Sequence, residues 1–215
     1  MRAADEISRE DPMPNRFARQ MSMGTMLLAT VVLGATCGAV HAQTSQKGRL
    51  DLGQLFTPSG WIGDGTERRQ YINFSDVDTV NPHSPPSSIK IVYSFGPTRW
   101  GGMYWQNEPD NWGDLPGTNF SGRGFTKVTF WARGETGTEV VEFKVGGIDN
   151  RTKKHRDSFR ATIGRVALTK EWKQYHIDIG RADLSSVIGG FCWVASADYN
   201  KAKQIVFFLD DIFLE

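Results

Sequence analysis

The chain has 215 residues, room for one domain with accessory segments. Its 25 basic and 24 acidic side chains leave a formal charge of +1, which gives no electrostatic case for a nucleic-acid or anionic-membrane binder. Aromatic residues at 12%, 23 glycines and a scarcity of Leu and Ala after residue 42 argue against a helical protein.

The N-terminal segment has the order of a secretory signal. Arg16 and Arg19 precede the apolar run "MLLATVVLGATCGAV", and Val40 and Ala42 are the small residues a signal peptidase requires. Residues 1–42 are therefore predicted to be removed after Ala42, leaving a secreted or periplasmic chain. The apolar run is short for a membrane span, so none is expected in the mature chain. The rivals are a retained N-terminal anchor and lipid attachment at Cys37, for which the preceding "GAT" fits a lipobox poorly. The acidic first dozen residues fit a start at Met13, Met21 or Met23 better. A polar linker, 43–49, leads into a single domain, 50–215. With Cys37 gone, Cys192 stands alone in "GGFCWVAS", where a small buried hydrophobe is expected and no disulfide.

Within the domain, short apolar or alternating runs end at Gly, Asn, Asp or Pro. Strands are predicted over 70–74, 88–95, 101–106, 126–133, 139–147, 157–163, 172–179, 189–195 and 204–215. Val128, Phe130 and Ala132 share one face of their strand, and Val141, Phe143 and Val145 one face of theirs. The best helical stretch, "ADLSSVI", is one or two turns long. The fold class is all-β, an antiparallel β-sandwich of the jelly-roll kind. About 165 residues suffice for a substantial core without disulfides.

Catalytic signatures are missing: there is no G-x-S-x-G, H-E-x-x-H or phosphate-binding loop. His83, His155 and His176 are scattered in sequence. The basic run "RTKKHRDSFR" has only Phe159 as an aromatic companion and reads as a solvated loop. Glu108, Asp110 and Asp114 cluster in one loop, and a glycosidase would need two carboxyl groups facing each other across a sugar. The chain is not expected to be an enzyme.

The segment "RWGGMYWQNEPDNWGD" (99–114) sets aromatic rings among amides, acids and turn-formers. A sugar offers apolar C–H faces to a flat ring and hydroxyls to polar groups around it. Trp100, Tyr104, Trp105 and Trp112, with Gln106 and Asn111, form such a set. Trp61 in "PSGWIGDG", Trp193 and Lys144 extend it. Tyr104 and Trp105 are adjacent on one strand, so one of them points inward. Trp131 and Trp172 lie beside alternating runs and are expected to pack. Asp210 and Asp211 interrupt the apolar "FFLDDIFLE" and need partners: N–H groups, an arginine or a bound Ca²⁺.

Four segments carry a family resemblance: "NPHSPPSSIKIVYSF", "FSGRGFTKVTFWARGE", "LTKEWKQYHIDI" and "VFFLDDIFLE". Together they resemble the strands of galactose-binding-domain-like jelly-roll carbohydrate-binding modules, near families four, nine and eleven, over residues 56–215. The resemblance implies a non-catalytic module that binds a polysaccharide or oligosaccharide. It also implies a structural Ca²⁺, for which Asp210 matches best, with Asp211 beside it and Asp64 as an N-terminal contributor. A protein-interaction or structural domain without a sugar ligand is the alternative, and a small hydrolase built on the 108–114 acids a third.

Overall fold

Among residues 48–64 and 68–215, which the computed structural model describes, nearly every regular element is a strand. The segment 1–42 predicted as a signal, with Cys37, and residues 43–47 of the predicted linker lie outside the described residues. In chain order the elements are β1 (Leu50–Asp51), α1 (Leu52–Leu55), β2 (Thr57–Gly63), a 3-10 turn (Arg68–Tyr71), β3 (Ile72–Asp78), β4 (Ser88–Ser94), β5 (Trp100–Gln106), β6 (Lys127–Gly134), β7 (Val140–Gly146), β8 (Arg160–Ala167), β9 (Lys173–Asp178), β10 (Gly189–Ser196) and β11 (Gln204–Leu214).

All nine predicted strands form, and two more precede them. The sequence "TPSGWIG" reads as a loop because Pro and Gly weaken strands, yet it is β2. As an edge strand β2 pairs only with β5, and Pro58 sits at a bulge where a lost N–H donor is tolerated. The strand predicted over 157–163 starts at Arg160, because Asp157 and Ser158 are engaged in the preceding loop. "ADLSSVI" forms no helix: the Asp183 carboxylate accepts the Ser185 N–H at 2.9 Å, and Val187 bridges to Thr118.

The strands make two antiparallel sheets. The first has the order β3–β4–β11–β6–β9, with β1 also on β11; the second has the order β2–β5–β10–β7–β8. Alternation sends Ile91, Tyr93, Phe130, Phe207 and Leu209 from the first sheet, and Met103, Trp105, Phe143, Phe191 and Trp193 from the second, into one shared core. Aromatic contacts cross the layers: Phe130 to Phe143 at 4.6 Å, Phe130 to Phe191 at 5.0 Å and Trp193 to Phe207 at 5.1 Å between ring centroids.

The Asp210–Asp211 pair has a geometric cause. Ile205, Phe207 and Leu209 face the core, and then the phase shifts so that Ile212 and Leu214 do. The shift is a bulge in the β11–β6 register between Asp210 and Phe213. A bulge re-aims side chains, and here both carboxylates leave the core. The backbone N–H of Ser84 donates to Asp210 Oδ2 at 2.9 Å; Asp211 Oδ2 accepts from the Ser84 hydroxyl at 2.6 Å and lies 2.9 Å from His83 Nδ1. Burial, then the neighbouring Asp211, pushes the Asp210 carboxyl above its ordinary value against the Ser84 N–H bond. Trp131 stacks on the His83 ring at 3.7 Å, and Trp172 Nε1 donates to the Asn81 carbonyl at 2.9 Å. These two tryptophans pack outside the core, pinning the 79–84 loop to the outer face of the first sheet.

Candidate functional site

The residues that alternate away from the core on the second sheet form a second, smaller apolar cluster. Tyr104, Ile148, Ile188 and Cys192 are buried in it, with Ile62, Trp112 and Val194 packed against them. Strand register sets its rows. Tyr104 lies opposite Cys192, Cys192 opposite Lys144, and Lys144 opposite Thr162. The next row runs Gly102, Val194, Glu142, Arg165. This outer face is thus apolar and aromatic toward β5 and charged toward β7 and β8. Lys144 Nζ pairs with Glu142 Oε1 at 3.3 Å. Trp100, 38% exposed, opens the face at the start of β5. Near the end of β10, the Arg165 guanidinium lies 3.9 Å from the ring centroid of exposed Tyr199.

Trp112 reaches this face from the 107–117 loop. Its ring meets Tyr104 edge-on at 6.2 Å and 84°. Asn111 is the strut of that loop. Its Nδ2 donates to the Asn107 and Leu115 carbonyls, and its Oδ1 accepts the N–H groups of Gly113 and Leu115. Gln106 anchors the loop from below, donating to the Asn111 carbonyl at 2.8 Å and accepting from the Ser59 hydroxyl at 3.0 Å.

Asp157 ties the surrounding segments together. Its Oδ2 accepts the Ile148 N–H at 2.7 Å, and its Oδ1 accepts those of Ile188 and Gly189 at 2.5 and 3.2 Å. The carboxyl is 7% exposed. Burial pushes its pKa up to about 6 against the pull of those three donors. Burial likewise pushes the Cys192 thiol and the Tyr104 phenol up, so both stay protonated. The Trp112 loop is joined to the 149–158 segment by the His155 N–H on the Gly113 carbonyl at 2.9 Å and by Lys153 Nζ on Asp114 at 2.5 Å. Gly113 has φ of 106°, and a Cβ there would lie 2.3 Å from the His155 carbonyl oxygen, so only glycine permits this contact.

Of the residues predicted for the site, Trp100, Tyr104, Trp112 and Lys144 share this face. Four do not offer a ligand surface. Trp193 is fully buried between Tyr93 and Phe207, and Trp105 packs edge-on against Phe191 and Phe74 in the main core. Gln106 and Asn111 are buried and spend their polar atoms on the loop. Trp61 is half-buried on a different side of the sheet: it lies opposite Met103, packs against the core from edge strand β2, and has Arg69 5.4 Å from its ring centroid. Glu142, Thr162, Arg160, Arg165, Tyr199 and Asp157 belong to the region but were not predicted; only the β7–β8 register brings four of them to it.

The carboxylates named for calcium do not gather. Asp64 accepts the backbone N–H groups of Arg99 and Trp100 at 2.9–3.0 Å; those of Trp100 and then Arg99 hold its carboxyl below the usual value. Asp210 and Asp211 are engaged with the 83–84 turn. Among the described residues no group of three or more His, Cys, Asp or Glu side chains comes together as a metal would require. Asp64 thus engages the start of β5, and Asp210 and Asp211 the turn that precedes β4. Of the 108–114 acids, Asp114 is paired with Lys153, and Glu108 and Asp110 are exposed at the loop tip.

No protein-family model matches the sequence, and no curated protein does. Solved structures do match. One is the family 11 carbohydrate-binding module from Clostridium thermocellum in complex with a β-1,3-1,4-mixed-linked tetrasaccharide, at 13% identity and TM-score 0.50, covering 78% of this chain and 94% of that one. Another is a family 30 carbohydrate-binding module, at 13% identity and TM-score 0.51, covering 78% and 98%. The chain has the jelly-roll fold of carbohydrate-binding modules. At this identity the likeness is one of fold. Among the described residues of this module-like domain, no helix is long and apolar enough to cross a membrane.

Proposed function

We propose that the protein is a non-catalytic carbohydrate-binding module, secreted or periplasmic, that takes a polysaccharide or oligosaccharide across the outer face of the second sheet. The observation that carries this reading is the convergence of Trp100, Tyr104 and Trp112 with Lys144, Glu142 and Thr162 on one sheet face. Flat aromatic surface beside oriented polar groups is what a sugar ring needs from a protein in water. Trp112 supplies the main stacking surface, Tyr104 supports it edge-on from below, and Trp100 marks the far end of the track. Lys144 and Glu142 meet hydroxyls. Binding is further favoured over hydrolysis by the engagement of the loop acids: Asp114 is paired with Lys153, and Glu108 and Asp110 are exposed at the loop tip.

The test is affinity electrophoresis of the protein against a panel of plant, bacterial and algal polysaccharides. Trp112→Ala is expected to weaken retention by about tenfold or more, the usual scale for losing a central aromatic anchor. Trp100→Ala is expected to weaken it less, because that ring lies at the end of the track. Unchanged retention in both variants would remove the face from consideration.

A further inference from the structure

The near-neutral total charge hides a local excess on the proposed platform. The 149–167 stretch, comprising β8 and the segment before it, carries Arg151, Lys153, Lys154, Arg156, Arg160 and Arg165 against only Asp149 and Asp157. The two acids do little to offset it at the surface. Asp157 is buried and spends both oxygens on N–H groups, and Asp149 is already held by Arg156 at 3.7 Å. Lys153 is neutralised by Asp114.

Arg160 differs from these. It lies opposite Gly146 in the β7–β8 ladder, the residue whose carbonyl accepts the Tyr104 hydroxyl at 3.3 Å. Its side chain is exposed, crosses Gly147, and has no carboxylate within ion-pair distance among the described residues. With Arg156 it lines a cleft of about 450 Å³ whose remaining walls include Asp149, Asp157, Ser158 and Phe159. The Gly113–His155 and Asp114–Lys153 ties hold the Trp112 loop against the segment that leads into Arg160.

We infer that the glycan taken by this face is anionic, a uronate- or sulfate-bearing polysaccharide whose acid group meets the Arg160 guanidinium while a neighbouring ring packs on Trp112. The inference rests on the platform reading above and adds the ligand class to it. A planar guanidinium fork suits a carboxylate or sulfate. A neutral hydroxyl can accept from the same fork but brings no opposite charge to it.

Isothermal titration of the full protein is to be run with polygalacturonate, alginate, a sulfated galactan, a neutral β-1,3-1,4-glucan and a single-stranded oligonucleotide, at low and high salt. Tight binding is expected for one of the anionic glycans, weakening with salt because exposed charges are screened. The uronate and sulfate arms identify which acid group is read. Arg160→Gln is expected to cost that ligand roughly tenfold in affinity, with Arg160→Lys recovering part, and Trp112→Ala to cost a similar factor. Preference for neutral glucan, with Arg160→Gln silent, would overturn the anionic assignment and leave the platform standing. Binding of anionic glycan and oligonucleotide alike, insensitive to Trp112→Ala, would overturn it in favour of unspecific charge attraction. No binding to any glycan would overturn the platform itself.

Discussion

Trp193→Ala is expected to cost about 3–5 kcal/mol of stability, the usual range for deleting a large buried ring. The indole is fully buried, tilted against Tyr93 and edge-on to Phe207, so its removal opens a cavity at the junction of the two sheets. Trp105→Ala is expected to behave similarly, because its ring bridges Phe191 and Phe74. Trp100→Ala, at 38% exposure, is expected to cost under about 1 kcal/mol. For a domain of this size each kcal/mol moves the melting temperature by about 2–4 °C, so the core and surface tryptophans separate clearly. Guanidinium-chloride unfolding checks the ranking. A Trp193→Ala protein as stable as the parent would place that ring outside the core and reopen it as a ligand contact.

The second large effect is expected at Asp157. Asp157→Ala leaves the N–H groups of Ile148, Ile188 and Gly189 without their acceptor in a buried site. Unpaired buried donors cost about 1–3 kcal/mol each, partly relieved by water entry, so a loss of about 3 kcal/mol is expected. These donors floor the Tyr104–Trp112 cluster, so glycan affinity should fall with stability although Asp157 is too buried for a sugar to reach. The pH dependence has a definite sign. The folded carboxyl titrates at about 6, above its ordinary value of 3.8, because burial outweighs the three donors. The folded state therefore binds more protons than the unfolded state between those values. This group's contribution to stability falls as pH rises from about 4 to about 6 and is flat above. Asp157→Asn is expected to remove that slope from denaturant curves taken across the range. A parent protein that instead gains stability there relative to Asp157→Asn would show that the N–H bonds outweigh burial.

The contrast between Trp193 and Trp112 shows what periodicity carries and where it stops. In β7 the alternation of Val141, Phe143 and Val145 with Glu142 and Lys144 is complete, and the structure sends each set where alternation predicts. In β11 the bulge is visible as a phase change from Phe207 and Leu209 to Ile212 and Leu214, with the two aspartates at the switch. In β10, "GGFCWVAS" is buried on both faces, so no polar partner marks which side of Trp193 is inward. The adjacent pair Tyr104 and Trp105 had to divide between faces, but which took the core depends on Phe191 and Phe74, residues far away in the chain. Around Trp61, Gly and Pro outweigh the strand signal, so "TPSGWIG" reads as a loop although it is edge strand β2.

The site follows the same physics. Trp100, Tyr104, Trp112 and Lys144 were legible because ring and amine chemistry is visible residue by residue. Gln106 and Asn111 have the chemistry of a sugar's polar rim, yet they serve the loop; only the hydrogen-bond partners tell these roles apart. Asp157, Arg160 and Arg165 had no local signal. Arg160 and Arg165 reach the platform through a β7–β8 register offset by one bulge between Phe143 and Lys144, and Asp157 through loop hydrogen bonds to Ile148, Ile188 and Gly189, none of which a window of sequence displays.

A bound glycan is expected to lie along the outer face of the second sheet. Carbene footprinting of the full protein, with and without a saturating polysaccharide from the binding panel, measures this directly. Protection is expected at Trp100, Trp112, Lys144 and Arg160 on the outer face of the second sheet, with no change at Trp131, Trp172 and His176 on the first. Protection confined to the first sheet, or to the loops at the ends of the sandwich, would contradict it.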